Sequence, residues 1–159
     1  MRAKLKTLKG PYLKKHHNMN RLSKRSKGRL DGVLPVLVEI FEEGIKTCPY
    51  DFGIPQGGGR RTEEDQAAMY AIGRTTQKHR KPVTWTLNSN HLEKGDGFGY
   101  AVDIYAYING KASWNLKYLR PIANHLKKYA ADNYDITLEW GHDLWGKDGA
   151  HFQIKYKGL

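Results

Sequence analysis

Two stretches of the chain alternate between apolar and functional side chains, and they constrain the fold more than any other feature. Over residues 101–107, Val102, Ile104 and Ala106 point one way, while Ala101, Asp103 and Tyr105 point the other. Over residues 151–156, Phe152, Ile154 and Tyr156 oppose His151, Gln153 and Lys155. A period of two is that of a strand with one face on a core. Each strand would therefore grip Asp103 or His151 by apolar packing behind it and aim its functional group into a cleft, the rigid support a metal site needs.

The remaining elements decide what those strands belong to. Residues 33–46 carry Leu34, Leu37, Phe41 and Ile45 at helical spacing, with Val38 on the same side, and Pro49 stops that helix. Residues 51–54 read as a short strand, and Gln56-Gly57-Gly58-Gly59 as a loop. Thr62-Glu63-Glu64-Asp65 is a capping-box pattern that opens a helix running to about Ile72 and ending at Gly73. Residues 75–82 look like a basic surface loop, and residues 83–86 have strand composition. A later helix bears Leu116, Leu119, Ala123, Leu126 and Ala130 on one stripe, and residues 136–140 read as another strand. Helices and strands mix without a repeating βαβ rhythm, which predicts an α+β fold, a small antiparallel sheet flanked by helices.

Charge divides the chain in two. Of its 27 basic residues, eleven lie in residues 1–29 with no acid among them, so the remaining 16 balance the 16 acidic ones. Residues 1–29 are accordingly a basic arm, and residues 30–159 one catalytic domain, the size being right for one and too small for two. The arm attracts polyanions such as an anionic cell envelope, or serves solubility alone. Tyr12 is its only aromatic and it has no zinc-finger or helix-turn-helix pattern, so specific nucleic-acid binding is not expected. The single cysteine, Cys48, excludes an intramolecular disulfide and reads as a small core residue. No run approaches the ~20 apolar residues of a membrane span. No apolar stretch follows the basic N-terminus as a signal peptide requires. A monomer made in the cytoplasm is the expectation.

Two imidazoles and a carboxylate suit a three-ligand zinc site with one position left open. His91, in the loop before the first alternating strand, joins Asp103 and His151 as the candidate set, with Asp96 as the alternative carboxylate. Asp148 is the candidate general base, with Gly149 letting the chain bend between it and His151. Arg61, ahead of the capped helix, is the candidate for oxyanion charge or a substrate carboxylate, with Arg60 as its alternative. His16, His17, His79 and His125 read as surface residues, and His142 as a turn residue. Asp143 either orients a ligand imidazole or caps a turn. Trp85, Trp114, Trp140 and Trp145 read as core or cleft wall.

Several separate motifs then occur in one order. Ser89-Asn90-His91 and Gly99-Tyr100-Ala101-Val102-Asp103 are followed by Trp140-Gly141-His142-Asp143 and Lys147-Asp148-Gly149-Ala150-His151-Phe152. Gln56-Gly57 with Arg61-Thr62, and the stretch from Arg21 to Val36, extend the pattern. Together they resemble the zinc D-Ala-D-Ala peptidase superfamily, and within it the bacteriophage L-alanyl-D-glutamate endopeptidases. The resemblance implies a hedgehog/DD-peptidase-like fold and a zinc endolysin that cuts peptidoglycan stem peptides between L-Ala and D-Glu. It implies ligand roles for His91, Asp103 and His151, and the base role for Asp148. Arg61 takes the place of the arginine that assists the transition state, and Ser89 contacts substrate or supports the site. It also implies an enzyme held in the host cytoplasm until another protein opens the membrane. A D-alanyl-D-alanine carboxypeptidase of the same superfamily is the alternative. Two departures stand out: an insertion around Glu93-Lys94-Gly95-Asp96-Gly97, and a stretched glycine turn before Arg61.

Overall fold

A computed structural model of the chain describes residues 19–155. The order of its elements is α1 (Lys24–Arg29), α2 (Pro35–Gly44) with a 3₁₀ turn (Ile45–Thr47), β1 (Asp51–Gly53) and α3 (Glu63–Ala71). Then come β2 (Ala101–Asp103), β3 (Tyr105–Ile108), β4 (Lys111–Ser113) and α4 (Leu116–Tyr134). The chain closes with β5 (Glu139–Trp140), α5 (Gly141–Trp145) and β6 (His151–Gln153).

The strands form two antiparallel sheets of three, in the orders β1-β3-β4 and β2-β6-β5. Residues 101–107, expected as one strand, are divided between them. Ile104 bonds its N–H to the carbonyl of Ala150, and the chain leaves one sheet for the other at that point. The break does not disturb the alternation, because Val102, Ile104 and Ala106 are all fully buried. In the second sheet Asp103 lies directly opposite His151, and Val102 opposite Phe152. One register thus sets the two functional side chains on one face and their apolar supports on the other.

The core lies between the sheets and the helices α2 and α4. Leu37, Ile40 and Phe41 of α2 share it with Leu119, Ile122, Ala123 and Leu126 of α4. Phe41 joins both sheets, meeting Phe52 of β1 edge-on at 6.0 Å and Phe152 of β6 at 5.6 Å. Burying a ring of that size contributes about 1.5–3 kcal/mol, and here it also fixes the strand that carries His151. Cys48 is in this core, and burial pushes its thiol up to about 12, so it remains protonated.

Thr62 caps α3 as expected, its hydroxyl accepting the N–H of Asp65. Several other expectations need correcting. Residues 24–29, counted with the basic arm, form α1 against the body. Leu22, Ser26 and Leu30 are buried, and Arg29 donates to the Ile54 carbonyl. Residues 1–18 of the arm, and Tyr156, lie outside the described residues. Leu116 is exposed at the start of α4, where Ile122 and Tyr129 complete the buried stripe. The strand expected over residues 136–140 pairs only at Glu139 and Trp140. His125 is half-buried, its Nε2 meeting the Gly44 carbonyl at 2.8 Å and the Thr47 hydroxyl at 3.1 Å, which ties α4 to the end of α2. Residues 83–86 form no strand. The carbonyls of Thr84 and Thr86 are taken by the side chains of Arg74 and Gln66, so no neighbouring strand is needed.

Candidate metal centre and active-site cleft

Three side chains from distant parts of the chain converge. His91 Nε2 lies 3.2 Å from Asp103 Oδ1 and 3.2 Å from His151 Nδ1, and His151 Nδ1 lies 3.3 Å from Asp103 Oδ1. Each of the two imidazoles turns its other nitrogen to an oxygen. His91 Nδ1 is 2.8 Å from the Gly59 carbonyl, and His151 Nε2 is 2.8 Å from Gln153 Oε1. Those oxygens can only accept, so the outer nitrogens carry the protons and the inner ones present lone pairs. Two lone pairs and a carboxylate oxygen pointed at one another repel unless a cation lies between them. The donor set therefore fits a metal, and these are the residues that could hold one.

The surrounding residues fix every member of the trio. Gln153 takes a second hydrogen bond from Asn90 Nδ2 at 2.7 Å and donates to Glu139 Oε1 at 3.0 Å, which leaves its carbonyl facing His151. Asp103 gives its second oxygen to Arg61 Nη2 at 2.8 Å. Arg61 is buried and donates from Nε to the Gly57 carbonyl and from Nη1 to Gln66 Oε1. Gln66, fully buried, in turn donates to Thr84 and Thr86. Ser89 is buried as well, and its hydroxyl accepts the backbone N–H of His91.

The glycine run read as a loop is part of the centre. The carbonyls of Gly57, Gly58 and Gly59 receive, in order, Arg61 Nε, the backbone N–H of Asp103 and the ring of His91. Gly57 sits at φ +74°, and a Cβ on Gly59 would collide with the Arg29 carbonyl, so a larger residue would displace this cradle.

Electrostatics follow from this packing. A proton on the inner nitrogens can take the place of that cation: burial works to raise the Asp103 carboxyl, yet the charge on a protonated His91 and the hydrogen bonds from His151 and His91 then hold it well below the usual carboxylate range. For His151 burial acts to lower the value, and the bond and charge of Asp103 overcome it and push it up. Asp148 shifts upward, first through burial and then through the negative charge of Asp103, against the pull of His151, His91 and Arg61.

A cleft of about 430 Å³ opens over the trio, and Trp85, Asn88, Ser89, Trp145, Lys147 and Asp148 help to line it. The chain bends between Asp148 and His151 at Gly149 and Ala150, as expected, and the His151 N–H closes the turn on the Asp148 carbonyl at 3.2 Å. Left-handed residues at Asp148, φ +65°, and Gly146, φ +69°, lead into it. Gly149 packs under Leu116, and a Cβ there would push the tip of that side chain aside.

The alternatives weighed from sequence separate cleanly. Asp96 is exposed and spends its carboxylate on Phe98 N–H and the Tyr100 hydroxyl of its own loop, so Asp103 is the carboxylate that joins the imidazoles. Arg60 is exposed, and Arg61 is the arginine of the site. Asp143 orients no imidazole, because it pairs with Lys127 at 2.6 Å on the surface. His142 lies within the short helix α5 and not in a turn, with its ring against Trp140. Trp140 is core, while Trp85 and Trp145 are cleft wall. Sequence reasoning missed Gln66, Asn90 and the role of Gln153. Only Gln153 was signalled, by sharing a strand face with His151.

Mixed helices and small antiparallel sheets around a His–Asp–His trio with a carboxylate beside it suit a metal-dependent hydrolase. The family described as phage L-alanyl-D-glutamate peptidase matches residues 19–158. The L-alanyl-D-glutamate peptidase of Escherichia phage T5 is 30% identical over 135 residues, which cover 85% of this chain and 89% of that protein. The crystal structure of the Serratia marcescens L-Ala D-Glu endopeptidase ChiX is similar with a TM-score of 0.68 and 30% identity, over 89% of this chain and 94% of ChiX. The chain belongs to the phage L-alanyl-D-glutamate peptidase family, and it is a hydrolytic enzyme.

Proposed function

We propose that this chain is a zinc endolysin that hydrolyses the bond between L-Ala and D-Glu in the stem peptide of peptidoglycan. The observation that carries the reading is the convergence of His91 Nε2, Asp103 Oδ1 and His151 Nδ1 within 3.3 Å, each held from behind. Zinc bound there supplies Lewis acidity, which lowers the pKa of a water from 15.7 to about 7. Asp148 is the base, taking a proton from the attacking water and returning it to the departing amine of D-Glu. Its half-buried position and raised affinity for protons suit that exchange. Arg61 first positions Asp103. The two guanidinium N–H groups it does not commit to the protein are available to charge developing on the reacting carbonyl. Ser89 supports the turn that carries His91 and needs no substrate contact to do so.

The test is product analysis. Purified protein incubated with peptidoglycan should release fragments with a new N-terminal D-Glu, detected by mass spectrometry. A chelator should stop the reaction and zinc restore it. Released D-Ala would move the assignment to a carboxypeptidase, and lysis insensitive to chelation would remove zinc from the mechanism. Repeating the assay across salt concentrations examines the basic residues 1–29, whose attraction to an anionic envelope is screened as salt rises.

Gln153 offers a subtler check. Substituting Gln153→Ala leaves the three ligand atoms in place and removes the acceptor that fixes the His151 tautomer. Zinc affinity is expected to fall about 10–100-fold, as measured by competition with a chromophoric chelator. Unchanged affinity would refute this positioning role.

A further inference from the structure

Two side chains with a permanent positive charge line the cleft, Arg61 and Lys147, and they are held very differently. Arg61 is buried with three of its N–H groups committed. Lys147 is exposed, and among the described residues its ammonium has no carboxylate partner. It lies 4.1 Å from the centroid of the Trp85 ring. That ring belongs to the segment that follows α3. Trp85 stands between Thr84 and Thr86, and the buried amide of Gln66 bonds both of these neighbours. The ring itself is 55% exposed, so it is presented to the cleft without being packed away. A cation over an aromatic face is attracted only weakly at such an exposed site. That is enough to favour one position of a flexible lysine without locking it.

The chemistry of the substrate supplies what this ammonium lacks. A glutamyl residue that continues a peptide through one carboxyl keeps its other carboxyl free. Cleavage on the amine side of D-Glu therefore places a free carboxylate on the very residue whose nitrogen departs. Lys147 is the chain neighbour of Asp148, so the cation and the base approach that same residue. Arg61 is already paired with Asp103, which leaves Lys147 as the unpaired counter-charge in the cleft lining.

We propose that Lys147, held against Trp85, is the specificity-determining residue that binds the free carboxylate of the D-Glu residue beside the scissile bond. The assignment rests on the hydrolysis proposed above. The experiment uses the full chain, zinc-loaded, with two stem peptides that differ only in that carboxylate, one free and one converted to the primary amide. The wild type should prefer the acid by about fivefold to tenfold in kcat/KM, mostly through KM. In Lys147→Met the ratio should fall to about one, and in Lys147→Arg most of it should return. Trp85→Leu should lower it part of the way. A ratio unchanged in Lys147→Met, or a wild type that cuts both peptides equally well, overturns the role of Lys147 alone. A wild type that cuts neither overturns the hydrolysis reading and this assignment with it, so the two failures are distinct.

Discussion

Replacing Asp148 with asparagine is expected to lower turnover of the L-Ala–D-Glu peptide by about 10²–10⁴-fold while zinc content stays at the wild-type level. Asparagine is the informative choice, because Asp148 sits at φ +65°, a left-handed conformation that Asn tolerates and Ala does not. Loss of activity can then be ascribed to the missing base. The same substitution should also reveal a cost in stability. Burial and the charge of Asp103 raise the affinity of the folded-state carboxyl for its proton. A folded state that binds the proton more tightly than the unfolded one loses stability as pH rises from the ordinary carboxylate value, and the loss is complete above the raised value. At neutral pH and in the presence of chelator, Asp148→Asn should therefore melt at the same temperature as the wild type or slightly higher. Groups poised for catalysis commonly impose such a cost. Wild-type turnover in this variant would take the base role away from Asp148.

What could be read from the sequence follows the range of the interactions concerned. The alternation around Asp103 and around His151 is local: the row of Val102, Ile104 and Ala106 is buried behind Asp103, and in the row behind His151 Phe152 is buried and Ile154 partly so, the strand ending at Gln153. The capping signal at Thr62 is local as well. The fact that the two rows belong to adjacent strands in direct register is set by contacts 48 residues apart, and no pattern within either stretch records it. Gln66 illustrates the harder case. It is the last of four polar residues that open its helix, the other three being acids, so nothing periodic marks it as the fully buried residue that carries both Arg61 and the segment bearing Trp85. The glycines at 57–59 look like any flexible loop, since their importance rests on carbonyl groups that every residue possesses and on how closely other backbone approaches them. Residues 83–86 mislead for a related reason. Their composition suits a strand, yet side chains from α3 and from Arg74 take the hydrogen bonds that a neighbouring strand would have provided.

Asp103 has two duties, and separating them is the second large effect. One oxygen joins the imidazoles, and the other is the partner of a buried guanidinium. Asp103→Ala removes both, so zinc binding and activity should be lost together. The vacated Arg61 is 7% exposed and would keep its charge without a counterion. Breaking a buried pair in this way costs about 3–5 kcal/mol. Asp103 retains some exposure to water, with 20% of its side chain accessible, so the lower end applies. For a domain of this size about 3 kcal/mol corresponds to a fall of about 6–12 °C in Tm. Asp103→Asn distinguishes the duties, because its amide oxygen can still accept from Arg61 although it no longer supplies a charged ligand. Comparing the two variants under chelation takes the metal out of the comparison. The alanine variant should melt well below the asparagine variant, while both are inactive when zinc is added. Equal melting temperatures would mean that Arg61 finds water or another acceptor, and that Asp103 serves the metal alone.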